Sequence, residues 1–116
     1  MKKTEERKFM MLKNKVAIVT GGTRGIGFAV VKKFIENGAA VSVWGSRQET
    51  VDQALEQLKV LYPDAKVSGK CPNLKDAVQV AEMINQVKEE FGTVDILVNN
   101  AGISQSRPFY DYQPEE

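Results

Sequence analysis

The sequence contains no histidine and only one cysteine, and each shortage removes a common kind of chemistry. Without histidine, the chain lacks the usual general base and the commonest metal ligand, so we predict no metal site. Cys71 cannot form a disulfide within the chain, and no histidine is present to activate its thiol. We therefore assign Cys71 no catalytic role, and a lone thiol favours a reducing, cytoplasmic location.

Long apolar runs and an excess of one charge are also missing. No apolar stretch has the roughly 20 residues that a membrane-spanning helix needs, and no signal-peptide hydrophobic region follows the basic start. The formal net charge of +1 supports neither a nucleic-acid partner nor a membrane surface. With 116 residues, of which 42% are hydrophobic and 27% charged, the composition is that of one soluble globular domain.

The beginning of the chain is charged and shows no periodic apolar pattern. We predict that residues 1–12 form a disordered extension and that residues 13–116 form a single domain. Two explanations of the extension remain open. Either Met11 is the natural start of the protein, or the segment before it is a genuine but unstructured addition.

Apolar runs and amphipathic segments alternate along the domain. The runs predict strands at about 16–20, 39–44, 65–71 and 94–98, and the segments predict helices at about 25–37, 48–61 and 75–91. Strands that alternate with helices pair in parallel through right-handed crossovers. We therefore predict a doubly wound α/β sheet with strand order 3-2-1-4 and helices on both faces.

Each predicted helix has one apolar face that is expected to pack on the sheet. The first face comprises Ile26, Ala29, Val30, Val31 and Phe34; the second comprises Val51, Ala54, Leu55, Leu58 and Leu61; the third comprises Val80, Ile84, Val87 and Phe91.

Three glycines separate the first strand from the first helix. Gly21 allows a sharp exit from the strand, Gly25 lets the backbone approach a phosphate, and Gly27 lets the helix lie close to the sheet. Unpaired N–H groups at the helix start would then face an anion. The spacing Gly-x-x-x-Gly-x-Gly differs from the common Gly-x-Gly-x-x-Gly fingerprint. Taken alone, the segment could be an ordinary turn, but its position predicts a pyrophosphate site.

A second motif, Asn99-Asn100-Ala101-Gly102, directly follows the fourth predicted strand. In the predicted order, strands one and four are neighbours where the winding of the sheet reverses. Ligands of open α/β sheets bind at that point, beside the carboxyl ends of the strands. Both motifs are therefore expected to border one crevice.

Together the two motifs resemble those of the short-chain dehydrogenase/reductase family. The family's Thr-Gly-x-x-x-Gly-x-Gly is matched between Thr20 and Gly27, and its Asn-Asn-Ala-Gly is matched without a change. The resemblance covers about residues 13–116 and leans towards 3-oxoacyl carrier-protein reductases, or related sugar-alcohol and hydroxysteroid dehydrogenases. It implies a Rossmann-type domain, and hydride transfer between a nicotinamide and a carbonyl or alcohol carbon.

The segment after the second strand indicates which nicotinamide cofactor is used. NAD-binding proteins tend to place an acid there, but here Ser46 and Arg47 occupy the place and no acid precedes Glu49. Ser46 can donate to a 2′-phosphate, Arg47 can pair with it, and Arg24 can reach it from the glycine turn. In the alternative, both arginines are solvated surface charges. We expect NADP(H) to be favoured over NAD(H).

The resemblance also implies roles for residues near the other strand ends. Asn73 and Leu74 take the adenine position, and Asn73 could also, or only, belong to a turn that caps the third helix. Asp95 resembles a residue that supports the adenine pocket indirectly, or is simply a charge at a strand entrance. The predicted cofactor-binding residues are Gly21, Gly22, Thr23, Arg24, Gly25, Ile26, Gly27, Ser46, Arg47, Asn73, Leu74, Asn99, Asn100, Ala101 and Gly102.

The family's catalytic Ser and Tyr-x-x-x-Lys find no counterpart after Gly102. The Tyr62-x-x-x-Lys66 match falls between the second helix and the third strand, which is the wrong part of the fold. We therefore expect the cofactor-binding half of a reductase that is inactive alone. In the alternative, the chain is a non-catalytic dinucleotide-binding module or an assembly partner. The resemblance implies that full-length relatives are homo-oligomeric, and from the charge and the lack of long apolar runs we expect no nucleic-acid or membrane partner.

Overall fold

The computed structural model describes residues 11–101, in which four strands alternate with three helices. The strands are β1 (Val16–Thr20), β2 (Ala40–Trp44), β3 (Val67–Lys70) and β4 (Ile96–Asn99). The helices are α1 (Gly25–Glu36), α2 (Gln48–Leu61) and α3 (Ala77–Phe91). All seven predicted elements are present. None of these helices is long and apolar enough to cross a bilayer.

The predicted extension lies mostly outside the described residues, as does Gly102. Within the described part, Leu12 packs against the core, and its N–H donates to the carbonyl oxygen of Asn37 at 2.8 Å. This contact attaches the start of the described chain to the end of α1.

The four strands form one parallel sheet in the order β3-β2-β1-β4, as the sequence predicts. The register aligns Thr20 of β1 with Trp44 of β2 and with Asn99 of β4. The carboxyl ends of the strands are therefore level at one edge of the sheet. This Rossmann-type arrangement brings the segments that follow β1, β2 and β4 together at that edge.

The core consists of two apolar clusters, one on each face of the sheet. The first contains Ala17, Val19, Val31, Ile35, Ala39, Val41, Val43 and Leu58, and it is covered by α1 and α2. The second contains Val16, Ile18, Trp44 and Val87, and it is covered by α3. Every residue of β1 is buried because helices cover both faces of this central strand, which explains its unbroken apolar run.

Three residues of the predicted α1 face, Val30, Val31 and Phe34, lie in or pack against the first cluster, but the other two do not. Gly27, Val31 and Ile35 face the sheet, whereas Ile26 is 69% exposed and Ala29 is also exposed. The glycine fixes this phase, because a residue without a Cβ is needed where α1 meets the glycine turn. Val31 and Ile35 then follow at intervals of four on the same face.

One residue of the predicted α2 face is also wrong. Val51, Ala54 and Leu58 are buried as predicted, but Leu61 is 54% exposed. The helix ends there, and Tyr62 packs against the first cluster instead. The predicted face of α3 is confirmed, since Val87 is buried and its three companions pack against the second cluster.

The amino-terminal edge of the sheet carries two residues that the sequence had singled out. The Tyr62 hydroxyl donates to Glu36 at 2.5 Å, and burial together with this carboxylate raises the pKa of Tyr62 to about 12. Asp95 contacts Val16 twice, since its Oδ2 accepts from the Val16 N–H and its own N–H donates to the Val16 carbonyl, both at 2.9 Å. Asp95 therefore joins β4 to β1 at the edge opposite the glycine turn. This contact fits the interpretation of Asp95 as a charge at a strand entrance, and its indirect support of an adenine pocket stays a prediction.

Candidate functional site

A cavity of about 820 Å³ opens at the carboxyl edge of the sheet, between the starts of α1 and α3. Ten of the predicted cofactor-binding residues line it: Gly21, Thr23, Arg24, Gly25, Ile26, Ser46, Asn73, Leu74, Asn100 and Ala101. Four others, Gly22, Gly27, Arg47 and Asn99, lie beside the cavity wall without lining it. The structure thus brings together residues from four separate segments of the chain.

The glycine turn between β1 and α1 forms one wall of this cavity. Gly21 and Gly25 adopt φ values of 63° and 61°, which is the left-handed region that favours glycine. No side chain caps α1 at its N-cap residue, Arg24. The first backbone N–H groups of α1 have no partner within the helix, so they can donate to an anion in the cavity.

Gly27 lies behind this wall and sets how closely α1 approaches the turn. A Cβ at Gly27 would lie 2.0 Å from the carbonyl oxygen of Gly21 and 2.6 Å from the Asn100 side-chain nitrogen. No real Cβ atom tolerates such distances. The helix start can therefore sit against the turn only because this position has no side chain.

The Thr20 hydroxyl joins the end of β1 to the segment after β4. It lies 3.1 Å from Asn99 Oδ1 and 3.3 Å from the Val98 carbonyl oxygen, and it accepts from the Ala101 N–H at 3.2 Å. Asn100 adds a second link, because its side-chain nitrogen donates to the Gly21 carbonyl at 3.1 Å. The two asparagines thus stabilise the junction between the strands and the glycine turn, and Asn100 also lines the cavity.

Thr20→Val tests this junction, because the substitution keeps the buried shape and removes the hydroxyl. We expect the free energy of unfolding to fall by about 2 kcal/mol, since buried polar groups lose their partner. Amide hydrogen exchange at Ala101, whose N–H donates to this hydroxyl, should accelerate. Thr20→Ser is the matched control, because it keeps the hydroxyl and should leave that exchange slow. Equal exchange rates in the two variants would contradict the role of the hydroxyl.

The second wall of the cavity follows β2. Ser46 lines it and is exposed, and Arg47 is the N-cap residue of α2. The guanidinium of Arg47 forms an ion pair with the Glu49 carboxylate, and the two side chains are 67% and 65% exposed. The charged side chains that line the cavity itself are those of Arg24 and Lys75, and within residues 11–101 no carboxylate lines it.

The third wall follows β3 and is held by hydrogen bonds around Asn73. Its Oδ1 accepts from the Lys75 N–H at 3.0 Å, and its own N–H donates to Gln79 Oε1 at 2.5 Å. Asp76 is the residue that caps α3, through the N–H groups of Val78 and Gln79, both at 3.1 Å. Asn73 therefore shapes the turn without capping the helix, so its side chain remains at the cavity wall.

Six lining residues were not among those predicted from the sequence: Trp44, Gly45, Cys71, Pro72, Lys75 and Gln79. All six lie within a few residues of a strand end or at the start of α3. A wider window around each predicted strand end and around the start of the third predicted helix would have included them. Cys71 is partly buried and contributes only to the wall.

The sequence of residues 15–116 matches the family model described as short chain dehydrogenase. The 3alpha-hydroxysteroid dehydrogenase of Mediterraneibacter gnavus is 88% identical over 108 residues, which cover 93% of this chain and 43% of that protein. The 3-oxoacyl-[acyl-carrier-protein] reductase FabG of Chlamydia muridarum is 39% identical over 106 residues, which cover 91% of this chain and 42% of that protein. The chain thus spans less than half the length of these relatives.

Solved structures share the fold. The 2-keto-3-deoxy-D-gluconate dehydrogenase from Streptococcus agalactiae superimposes with a TM-score of 0.76 at 31% identity, covering 99% of this chain and 42% of that one. An NADPH-bound short chain oxidoreductase from Pseudomonas aeruginosa PAO1, which contains an atypical catalytic center, gives a TM-score of 0.77 at 35% identity. That match covers 90% of this chain and 40% of the other.

Proposed function

Since this chain belongs to the short-chain dehydrogenase family, we propose that it is the cofactor-binding part of an NADP(H)-dependent oxidoreductase. The proposed substrate class is a hydroxysteroid and its ketone, because the chain is 88% identical to a 3alpha-hydroxysteroid dehydrogenase over 108 residues. The chain covers only 43% of that relative, so the substrate and the reaction belong to the proposal for the whole protein. When bound, the cofactor supplies or accepts the hydride.

The cavity fits a dinucleotide with its diphosphate against the glycine turn. The uncapped N-terminus of α1 offers backbone donors, and the missing Cβ of Gly27 keeps that helix end close to the sheet. In doubly wound sheets the adenosine half lies over the strand that follows the glycine turn, which here is β2. The adenosine half would therefore contact the walls after β2 and β3, and the nicotinamide half would extend towards Asn100 and Ala101.

The proposed preference for NADP(H) rests on the polar and basic side chains near the end of β2. Ser46 lines the cavity where a carboxylate would accept hydrogen bonds from the ribose hydroxyls of NAD(H). Arg24 faces the same space from the glycine turn. A 2′-phosphate there would meet a hydroxyl donor and a guanidinium instead of a carboxylate, which favours the phosphorylated cofactor.

Titration of the chain with NADPH and NADH tests this proposal. We expect NADPH to bind at least about tenfold more tightly at low salt, because the additional phosphate gains charge-assisted hydrogen bonds. The advantage should shrink as ionic strength rises, since the arginines are exposed. Arg24→Gln should reduce the advantage, whereas Lys59→Gln, a matched loss of charge in the last turn of α2, should not. Equal or tighter binding of NADH would contradict the proposal.

A further inference from the structure

Arg47 is held in an ion pair beside the cavity. Its Nη2 contacts Glu49 Oε1, and this is its only salt bridge within residues 11–101. The backbone of Arg47 is fixed by α2, because its carbonyl accepts from the Val51 N–H at 3.1 Å and from the Thr50 hydroxyl at 2.9 Å. The guanidinium, at 67% exposure, is free to turn towards the cavity once it leaves Glu49.

The negative charge of Glu49 is favourable at its position independently of Arg47. It lies in the first turn of α2, where the helix dipole favours a negative charge. The next acidic side chain of α2, Asp52, is engaged by Gln48 at 2.9 Å. Glu49 therefore presents an exposed carboxylate that pairs with Arg47, near the end of β2 where the ribose is proposed to bind.

We propose that Glu49 is a specificity-determining residue that competes with the 2′-phosphate of the cofactor for the Arg47 guanidinium. This inference rests on the proposed function. A 2′-phosphate that pairs with Arg47 must first displace Glu49 from the guanidinium, and the lost ion pair weakens its binding. A cofactor with a 2′-hydroxyl does not bear this cost. Glu49 thus reduces the preference for NADPH that Arg47 and Arg24 create.

Glu49→Gln is the direct test, with Asp52→Asn as its matched control. Both variants remove one negative charge from the start of α2. We expect Glu49→Gln to tighten NADPH binding about two- to fivefold, the range of exposed ion pairs, and to leave NADH binding unchanged. Asp52→Asn should change neither affinity. Unchanged NADPH binding in Glu49→Gln, or an equal change for NADH, would overturn the inference.

A double-mutant cycle with Arg47→Ala shows whether Glu49 acts through Arg47. Helix α2 should tolerate this change, because no side-chain hydrogen bond of Arg47 caps it. We expect the effect of Glu49→Gln on NADPH to disappear in the Arg47→Ala background, and its persistence there would overturn the inference. If Arg47→Ala weakens NADPH but Glu49→Gln has no effect, only the inference fails. If Arg47→Ala leaves the ratio of NADPH affinity to NADH affinity unchanged, both the inference about Glu49 and the role of Arg47 in the proposed preference fail.

Discussion

Gly27→Ala is expected to abolish dinucleotide binding and to lower the free energy of unfolding by about 3 kcal/mol. The new Cβ would lie 2.0 Å from the Gly21 carbonyl oxygen and 2.8 Å from its carbonyl carbon. Both are backbone atoms of the glycine turn, so no side-chain rotation can relieve the overlap. Helix α1 must move away from the sheet, and its N-terminal N–H groups would then be misplaced for the proposed contact with a diphosphate.

Gly92→Ala is the control for the general cost of replacing a glycine. Gly92 ends α3 with a φ of 92°, and a Cβ there would meet nothing within 4 Å. We expect a loss of about 1 kcal/mol from backbone strain alone, with dinucleotide affinity unchanged. Urea unfolding and calorimetric titration measure the two effects. A Gly27→Ala variant that bound NADPH like the unmodified chain would contradict the proposed binding of the diphosphate between the glycine turn and the start of α1.

The architecture was predictable because local and global signals agree. Apolar runs of strand length alternate with amphipathic helices, and this alternation allows only a few topologies. The phase of α1 was less predictable, because two apolar stripes coexist on it. Ile26, Val30 and Phe34 make one, and residues 27, 31 and 35 make the other. The close contact of Gly27 with the turn centres the buried face on the second stripe, while Val30 and Phe34 pack beside it, and that contact is a property of the folded chain.

The site was predictable where it follows strand ends and unpredictable where it depends on side-chain partners. Residues after β1, β2, β3 and β4 converge because parallel strands share one carboxyl edge. The pairing of Arg47 with Glu49 was not foreseen, since residues two apart do not face each other on a regular helix. The extended backbone of Arg47 at the helix start brings them together. Asp95 likewise contacts Val16 across 79 positions of sequence, a relation that only the folded sheet defines.

Ser46→Asp is expected to reverse the proposed cofactor preference. Ser46 lines the cavity at the end of β2 and is exposed, so the fold should tolerate a slightly larger polar side chain. An aspartate there would repel a 2′-phosphate and accept hydrogen bonds from the ribose hydroxyls of NADH. We expect NADPH binding to weaken about 100-fold, which corresponds to about 2.7 kcal/mol, and NADH binding to strengthen. Titration with both cofactors measures the two changes.

Ser46→Asn separates the effect of charge from the effect of size. Asparagine has nearly the shape of aspartate but is neutral, and its amide can still donate to a phosphate. We expect this variant to keep most of the preference for NADPH. Two outcomes would each count against the proposed cofactor. Similar losses of NADPH affinity in both variants would point to crowding by the larger side chain. No loss of NADPH affinity in Ser46→Asp would place the 2′-phosphate elsewhere. A reversal seen with aspartate alone would mean that the missing acid after β2, together with the basic groups around it, creates the preference.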